Sequence, residues 1–351
     1  MMADPTRSAR PSRLFIYEWI TGGGLVSEAG ALPESLLREG LAMAHAVADD
    51  AANAGHHVTL LRDLRVTGLH APGGETLEIS GRTEHDEAFE RLAQQSDATL
   101  LIAPETDGAL LDCVRLAEQA GATLLSPAEA FVAVASDKQR TAEALAQNGT
   151  PTPRALVLAP DDALPEDFHY PAVIKPLDGA GSQDTHLVAH SGDRPPAYAW
   201  PRRFEEHAAG VPASVVVLGV AGGETLALPP CRQRISADGR MTYLGGSTPL
   251  AAGLAERATQ LALRAIEAMP TLVGLAGVDL ILGDAPDGAL DVVIEINPRL
   301  TTSYVGLRRA ARGGLVNAML SATRGERPEI DLDPRPLAFD ADGAVYWDLD
   351  R

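Results

Sequence analysis

The first third of the chain has apolar and polar residues in a pattern that predicts alternating strands and helices. Strands are expected over residues 14–20, 57–61 and 98–103, with a further apolar segment at 122–125. Amphipathic helices are expected over residues 33–55, 84–95 and 110–121. Because strands separated by helices commonly pair in parallel, this pattern favours a parallel sheet with helices on both faces.

Three consecutive glycines, residues 22–24, follow the first predicted strand in the segment FIYEWITGGGL. Glycines here serve either a tight turn or a backbone that lies close to a ligand. Open parallel sheets bind ligands at the carboxyl ends of their strands, and this loop lies at such an end. We therefore favour ligand proximity and keep the plain turn as the alternative.

From residue 136 onward the pattern predicts short strands joined by turns. A helix is expected over residues 136–149, with Ser136 as its N-cap and Gly149 at its end. Segment 171–188 is typical of two strands joined by a glycine-rich loop or lid. Further elements are expected as a helix over 249–269, a strand pair over 276–282 and 290–299, two helices around Gly313 and Gly314, and an edge strand over 343–349.

Composition and charge restrict the class of protein. The 351 residues suffice for two or three packed units, and the net charge of −19 disfavours non-specific binding to nucleic acid or an anionic membrane. Cys113 and Cys231 lack zinc-site spacing and are expected to be buried, reduced thiols. Residues 1–13 are expected to be a disordered tail rather than a secretory signal. With no apolar run long enough to span a bilayer, we expect a cytoplasmic protein with small-molecule partners, and a homodimer as one option for its assembly.

Polar residues share one face of the late segment VVIEINPR. Glu295, Asn297 and Arg299 alternate with other residues, so a continuous strand would place all three on one face. Asp279, on a segment expected to pair with this strand, would add a second carboxylate. Carboxylate and amide oxygens suit a hard cation such as Mg²⁺ that bridges phosphate oxygens. The alternative is a solvated sheet face with a salt bridge.

A lysine and a glycine-rich loop occur together in VIKPLDGAGSQDT. Lys175 ends an apolar strand and precedes Gly179 and Gly181, whose backbone N–H groups could face phosphates while the lysine neutralises charge. Ser182 could donate a further hydrogen bond. The lysine precedes the glycines, so this is not a Walker loop. The alternative is a hairpin turn with an exposed lysine.

Three further basic residues are candidates for contacts with an anion. Lys138 begins a predicted helix, where negative charge is favoured. Arg232 and Arg234 project from one face of a predicted strand in CRQRI. Each taken alone is most simply a solvated surface charge.

The order of these parts resembles that of the ATP-grasp superfamily from residue 135 to residue 325. The chain carries Lys138, then Lys175 with its glycine loop, then FEEH, RQR, Asp279 and EINPR. The resemblance implies an α/β ATP-grasp fold, in which an N-terminal Rossmann-like pre-ATP-grasp domain precedes two α+β lobes that clamp ATP. The implied division is a tail at 1–13, a pre-ATP-grasp domain at 14–135, a small lobe with a glycine-rich lid at 136–207, and a C-terminal lobe with the Mg²⁺ site at 208–351.

The resemblance also implies roles in nucleotide binding. Lys138 and Lys175 would contact the phosphates of ATP. The hinge strand RFEEHAAG would contact adenine and ribose through Glu205, Glu206 and His207. Many members carry an acidic residue shortly after the hinge glycine, whereas GVPAS at 210–214 has none, so the ribose contact stays open.

For the metal and the reaction, the resemblance again points to named positions. Asp279, Glu295 and Asn297 correspond to Mg²⁺ ligands, with Mn²⁺ as an alternative cation. Arg299, with one of the two arginines of RQR, resembles the residues that steady an acyl phosphate.

Three segments narrow the resemblance to the tyramine–glutamate ligase branch: FIYEWITGGGL, GVPASVVVL and EINPRLTTSYVGLR. This branch implies an ATP-dependent, ADP-forming ligase that joins glutamate to tyramine or tyrosine in methanofuran-type cofactor biosynthesis and C1 metabolism. Candidates for the pocket of the non-nucleotide substrate are two sets of residues. They are Tyr17, Glu18, Thr21, Gly22 and Gly23 on the first loop, and Thr302 and Tyr304 after the metal strand. For the two tyrosines, simple packing is an equal alternative.

Three other functions are considered. One is an ATP-grasp ligase with a different acid and amine, and another is a non-catalytic ATP-binding regulatory module. The second is disfavoured because all three candidate metal ligands are present. A Rossmann oxidoreductase is disfavoured because TGGGLVSEAG does not match G-x-G-x-x-G.

Overall fold

The N-terminal sheet has four parallel strands in the computed structural model, which describes residues 11–179, 181 and 183–347. In chain order its elements are β1 (Arg13–Glu18), α1 (Glu34–Asn53), β2 (His57–Asp63), β3 (Glu75–Ile79), α2 (Arg82–Gln95), β4 (Ala98–Ile102), α3 (Ala109–Gln119) and α4 (Glu129–Ala135). The strand order is β3-β2-β1-β4, so the predicted parallel sheet is confirmed. Strand β3 was not predicted because it is half-exposed at the sheet edge, and segment 122–125 adds only one bridge, from Leu124 to Thr99.

A second sheet has four antiparallel strands and follows one helix. Its elements are α5 (Lys138–Gln147), β5 (Ala155–Leu158), β6 (Ala172–Pro176), β7 (His186–Val188) and β8 (Arg202–Glu206). The strand order is β5-β8-β6-β7. Strands β6 and β7 pair in antiparallel fashion across the glycine-rich loop, as the sequence predicted.

The start of α5 differs from the prediction. Its N-cap is Asp137, whose Oδ1 accepts hydrogen bonds from the backbone N–H groups of Gln139 at 2.8 Å and Arg140 at 3.0 Å. Ser136 instead follows the last turn of α4. A carboxylate therefore satisfies the free N–H groups that start the helix.

The third and largest sheet has eight antiparallel strands. Its elements are β9 (Val211–Gly219), β10 (Thr225–Ala227), β11 (Cys231–Ile235), β12 (Tyr243–Thr248), α6 (Ala252–Glu267), β13 (Gly274–Leu282), β14 (Val292–Asn297), α7 (Ser303–Ala310), α8 (Val316–Thr323), β15 (Leu337–Asp340) and β16 (Val345–Trp347). The strand order is β14-β13-β9-β11-β12-β15-β16, and β10 pairs with β9. The predicted terminal edge strand is confirmed by β16, over its described residues.

The register of the third sheet places polar side chains together. Asp279 lies directly opposite Glu295, and Gly277 opposite Asn297, across β13 and β14. On the other side of β13, Asp279 lies opposite Ser214 of β9. Residues directly opposite each other in antiparallel strands point to the same face. The predicted pairing of the Asp279 strand with the Glu295 strand is therefore confirmed.

Both cysteines are buried and free, as expected. Burial raises the pKa of each thiol to about 12, so neither is a ready nucleophile. Among the residues that the structure describes, no helix is long and apolar enough to cross a membrane.

A buried carboxylate links the N-terminal helix α1 to the two C-terminal helices. Asp50 is 5 % exposed and accepts hydrogen bonds from the Tyr304 hydroxyl and from the backbone N–H groups of Leu315, at 2.8 Å, and Val316, at 3.2 Å. The carboxylate thus satisfies the start of α8 from another part of the fold. Tyr304 is fully buried in the same cluster.

Replacing Asp50 with alanine is expected to lower the free energy of unfolding by about 3 kcal/mol, because three buried donors lose their acceptor. Urea denaturation followed by tryptophan fluorescence would measure this loss. Asp49→Ala is the matched control, since that carboxylate is 43 % exposed and its partner Arg308 lies 3.3 Å away. Its removal should cost less than about 1 kcal/mol. Equal losses in the two variants would show that Asp50 does not tie the helices together.

Candidate functional site

A cleft of about 450 Å³ lies between the second and third sheets. Its walls come from β6, β8, β11, β13 and β14, and the loop between β6 and β7 borders one side. The lining includes apolar side chains, among them Val173, Leu280 and Ile294, together with charged ones. A cleft with both apolar and charged lining suits a nucleotide, whose base is apolar and whose phosphates are anionic.

Two carboxylates and one amide form the charged region on the third sheet. Asp279, Glu295 and Asn297 all line the cleft. Asn297 Nδ2 donates to Asp279 Oδ2 at 3.1 Å, and Gln233 Nε2 donates to Asp279 Oδ1 at 2.9 Å. The Asn297 amide oxygen remains available, so the three residues present hard oxygen donors of the kind that Mg²⁺ prefers.

The two carboxylates have opposite pKa shifts. Burial and the neighbouring charge of Glu295 raise the pKa of Asp279 to about 7. Burial also acts to raise the pKa of Glu295, but the charges of Lys138 and Lys175 outweigh it and lower this pKa. Paired, partly buried acids that repel each other are a common setting for a divalent cation, so the residues present fit Mg²⁺.

The sequence contains two lysines, and both line this cleft. Lys138 Nζ donates to the Gly179 carbonyl at 3.0 Å and lies 3.5 Å from Glu295 Oε2. Lys175 Nζ lies 2.6 Å from Glu205 Oε1. A chain that otherwise uses arginine as its basic residue thus keeps lysine at these two positions only, and the flexible point charge of lysine suits phosphate.

Family models match most of the chain and agree with this geometry. An ATP-grasp domain matches residues 135–303, and a pre ATP-grasp 3 domain matches residues 56–132.

The chain belongs to the ATP-grasp superfamily.

Similar proteins include a tyramine–L-glutamate ligase of Methanocaldococcus fervens, 26 % identical over 219 residues, which are 61 % of this chain. The match spans 62 % of the length of that curated relative. Two solved structures share the fold. One is a putative ATP-grasp superfamily protein from Archaeoglobus fulgidus, with a TM-score of 0.70, 23 % identity, and coverage of 93 % of this chain and 92 % of the other. The other is a biotin carboxylase from Campylobacter jejuni in a beta-gamma-ATP complex, with a TM-score of 0.71, 14 % identity, and coverage of 93 % and 75 %.

The glycine-rich loop borders the ATP-grasp cleft beside the lysines. Gly179 and Gly181 line it, and both have positive φ, of 124° and 66°, which favours glycine. The Gly179 carbonyl accepts the hydrogen bond from Lys138, so the loop and the first lysine are in contact. Ser182, also predicted for this site, lies outside the described residues.

The end of β8 and the residue after it bring Glu205, Glu206 and His207 to the cleft. The Glu205 carboxylate is occupied, because Lys175 and Arg203 both pair with it, the latter at 2.7 Å. Glu205 therefore positions Lys175 rather than offering a free carboxylate to the nucleotide. Glu206 lies 3.7 Å from Arg154 and is half-buried, and the His207 N–H donates to the Pro171 carbonyl at 3.1 Å.

Arg299 also lines the ATP-grasp cleft, held by a residue that sequence reasoning missed. Its Nε lies 3.0 Å from Glu105 Oε1, and its Nη2 donates to Glu105 Oε2 at 3.2 Å. Glu105 is 4 % exposed and Arg299 8 %. Glu105 follows β4 at the carboxyl end of a parallel strand, a position where ligand-site residues gather, so this signal was present in the sequence.

The prediction for Arg232 and Arg234 is wrong for this cleft. Neither lines it, and Arg234 pairs with Asp340 and donates to the Leu244 carbonyl at 3.0 Å. Both are exposed, whereas Gln233, on the opposite face of β11, lies in the cleft and contacts Asp279. The strand is present as predicted, but its other face points inward.

The first glycine loop does not line the ATP-grasp cleft. Tyr17 is fully buried, with its hydroxyl 2.8 Å from His85 Nε2, and Glu18 accepts from the Ile20 and Thr21 N–H groups. Thr21 is buried, a Cβ at Gly22 would lie 2.6 Å from the Glu18 carbonyl, and Gly23 has φ of 100°. These residues build the turn, which was the alternative interpretation. Tyr17 and Gly24 instead border a second cavity of about 410 Å³, and Gln183 of the glycine-rich loop borders both cavities.

The two predicted substrate residues after β14 differ in their surroundings. Thr302 lines the cleft next to Arg299. Tyr304 does not, because it is buried and donates to Asp50. The packing alternative therefore holds for Tyr304, while Thr302 remains a candidate contact for substrate.

Proposed function

We propose that this ATP-grasp chain is an ATP-dependent ligase that joins a carboxylic acid to an amine and releases ADP and phosphate. One observation carries the proposal: both lysines of the sequence face Asp279, Glu295 and Asn297 across one cleft. The proposed division places a pre-ATP-grasp domain at 14–135, a small lobe with the lid at 136–207 and the C-terminal lobe at 208–351.

Mg²⁺, with Mn²⁺ as an alternative, would be held by Asp279, Glu295 and Asn297, and when bound it neutralises charge on the phosphate oxygens of ATP. Lys138 and Lys175 add positive charge from the other wall of the cleft. Because Glu205 holds Lys175 at 2.6 Å, the ammonium group is positioned before the nucleotide binds. Positioned charges of this kind stabilise phosphoryl transfer without reorganisation during the reaction.

The proposed reaction has two steps. A carboxylate oxygen of the acid bonds to the γ-phosphorus while the bond to the ADP oxygen breaks, which gives an acyl phosphate and ADP. The amine nitrogen then bonds to the acyl carbon, phosphate leaves, and the amine proton is lost to solvent. Arg299 lies in the cleft to stabilise the acyl phosphate, and closure of the loop with Gly179 and Gly181 would exclude water that hydrolyses it.

The proposed substrates are glutamate and an aromatic amine, tyramine or tyrosine, in methanofuran-type cofactor biosynthesis. Support comes from the similarity to a tyramine–L-glutamate ligase. On the nucleotide side, Glu206 and His207 are the proposed contacts for adenine and ribose. No acidic residue lies between Gly210 and Ser214 to bind the ribose hydroxyls.

A matrix of acids and amines tests the proposal, with ADP and phosphate release as readouts. Glutamate with tyramine or tyrosine is expected to give ADP, phosphate and an amide whose mass is that of the two substrates less one water. With glutamate and hydroxylamine, an acyl phosphate is expected to be trapped as a hydroxamate. Binding of MgATP without ADP release for any pair would instead assign the chain to non-catalytic nucleotide binding.

A further inference from the structure

Glu39 is a cleft residue that sequence reasoning did not single out. It projects from α1, in the N-terminal part of the fold, and lines the cleft together with Arg299 and Thr302. A Cβ at Gly181 would lie 3.7 Å from Glu39 Oε1, so the glycine-rich loop passes directly over this carboxylate. The Glu39 side chain therefore lies between the backbone of α1 and the glycine-rich loop that borders the cleft.

This carboxylate has no direct partner within the described residues, where it makes neither a hydrogen bond nor an ion pair. The nearby guanidinium of Arg299 is already paired with Glu105. Burial raises the pKa of Glu39, and the charges of Arg299 and Arg38 lower it only in part. An acidic side chain in the cleft is thus left to interact with something that enters it.

The charges around Glu39 indicate which kind of ligand group it could bind. Glu39 acts electrostatically on Arg299 and on Tyr243, which also line the cleft. ATP, a carboxylate substrate and an acyl phosphate are all anionic, so each would be repelled by this side chain. Positive charge in the proposed reaction is brought by the divalent cation, which Asp279, Glu295 and Asn297 would hold, and by the ammonium groups of the amine and of glutamate. We assign Glu39 to the ammonium group of the amine, and the glutamate KM tests the other assignment.

We infer that Glu39 binds the ammonium group of the acceptor amine and holds it beside the acyl phosphate, where the nitrogen attacks after the ammonium group has lost a proton to solvent. This inference rests on the proposed ligase function. It makes Glu39 a substrate-binding residue for the second step, with no part in the first. It also means that the N-terminal helix, outside the two clamping lobes, contributes to the choice of acceptor.

The test separates the two steps in Glu39→Gln. Loss of one charged hydrogen bond is expected to raise the KM for tyramine by about 10–100-fold. The KM values for ATP and glutamate, and the rate of hydroxamate formation with hydroxylamine, are expected to stay within about threefold, because none of them depends on the ammonium group of the amine. Glu34→Gln is the matched control, since Glu34 is an exposed carboxylate in the first turn of the same helix.

A second measurement uses the ligand rather than the protein. In 4-propylphenol a methyl group replaces the amino group of tyramine, so it has no charge for Glu39 to contact. 4-Propylphenol should inhibit the natural protein and Glu39→Gln equally, whereas tyramine should bind more tightly to the natural protein than to Glu39→Gln. The thermal unfolding midpoint of each variant shows whether it is folded.

The outcomes are distinct. An unchanged KM for tyramine in folded Glu39→Gln overturns the inference and leaves the proposed function intact. A raised KM for glutamate, or a matching loss of hydroxamate formation, also overturns it, because Glu39 would then act on the acid substrate or on the first step. Absence of both ADP release and hydroxamate in the natural protein would overturn the proposed function, and this inference with it.

Discussion

Replacing Lys175 with alanine is expected to reduce ADP release at least about 100-fold without unfolding the protein. The side chain supplies positive charge where the phosphates would bind. Its ammonium group pairs with Glu205 Oε1, whereas Arg203 pairs with Oε2. The fold should survive because Arg203 still pairs with Glu205 at 2.7 Å. Glu295→Ala should have a similar effect, since it removes a proposed metal ligand. A coupled assay for ADP measures both losses, and circular dichroism checks the fold.

Lys175→Arg is the informative companion variant. It keeps the charge, and arginine serves at every other basic position that is not histidine in this chain. Activity is expected to stay low because the guanidinium is larger than the ammonium group and presents its charge as a planar fork rather than as a compact point charge. Bound MgATP should also protect both lysines of the chain from an amine-reactive reagent, and mass spectrometry would measure how far each lysine is labelled. Normal turnover in folded Lys175→Ala or Glu295→Ala would show that the site assignment is wrong.

The part of the site that sequence could predict is the part set by local periodicity. Glu295 and Asn297 fall on one face because strand side chains alternate, and the β13–β14 register then brings Asp279 opposite Glu295. Lys175 and its glycine loop were found because a strand end and positive-φ residues are adjacent in the sequence. The parallel N-terminal sheet was predictable for the same reason, since its apolar strands and amphipathic helices are separate, contiguous segments.

The features of the site that could not be predicted from the sequence depend on contacts between distant segments. Alternation put Arg232 and Arg234 on one face of β11, but only the pairing with β9 and β12 decides which face meets the cleft, and it is the face of Gln233. Glu105 meets Arg299 from 194 residues away. Glu39 enters the cleft from a helix whose own pattern shows only an amphipathic surface. For the glycine loop at 22–24 the sequence could not separate a tight turn from a ligand-binding loop, because both need the same residue.

Arg299→Met is expected to cost both stability and activity, and a second substitution should separate the two losses. The single variant leaves the Glu105 carboxylate, only 4 % exposed, without its cation, and should lower the free energy of unfolding by about 3 kcal/mol or more. Urea denaturation, followed through the three tryptophans, measures this change. ADP release should fall at least about 100-fold, because the proposed acyl phosphate loses a guanidinium.

Adding Glu105→Leu to Arg299→Met removes the stranded charge and should recover most of the lost stability, since apolar pairs often replace buried ion pairs at little cost. Turnover should not recover, because the guanidinium is still missing from the cleft. If turnover returned together with stability, Arg299 would serve only to neutralise Glu105. If neither returned, the pair would have a packing role beyond its charges. Only the split result, a stable protein without activity, assigns Arg299 to the chemistry and Glu105 to holding it in place.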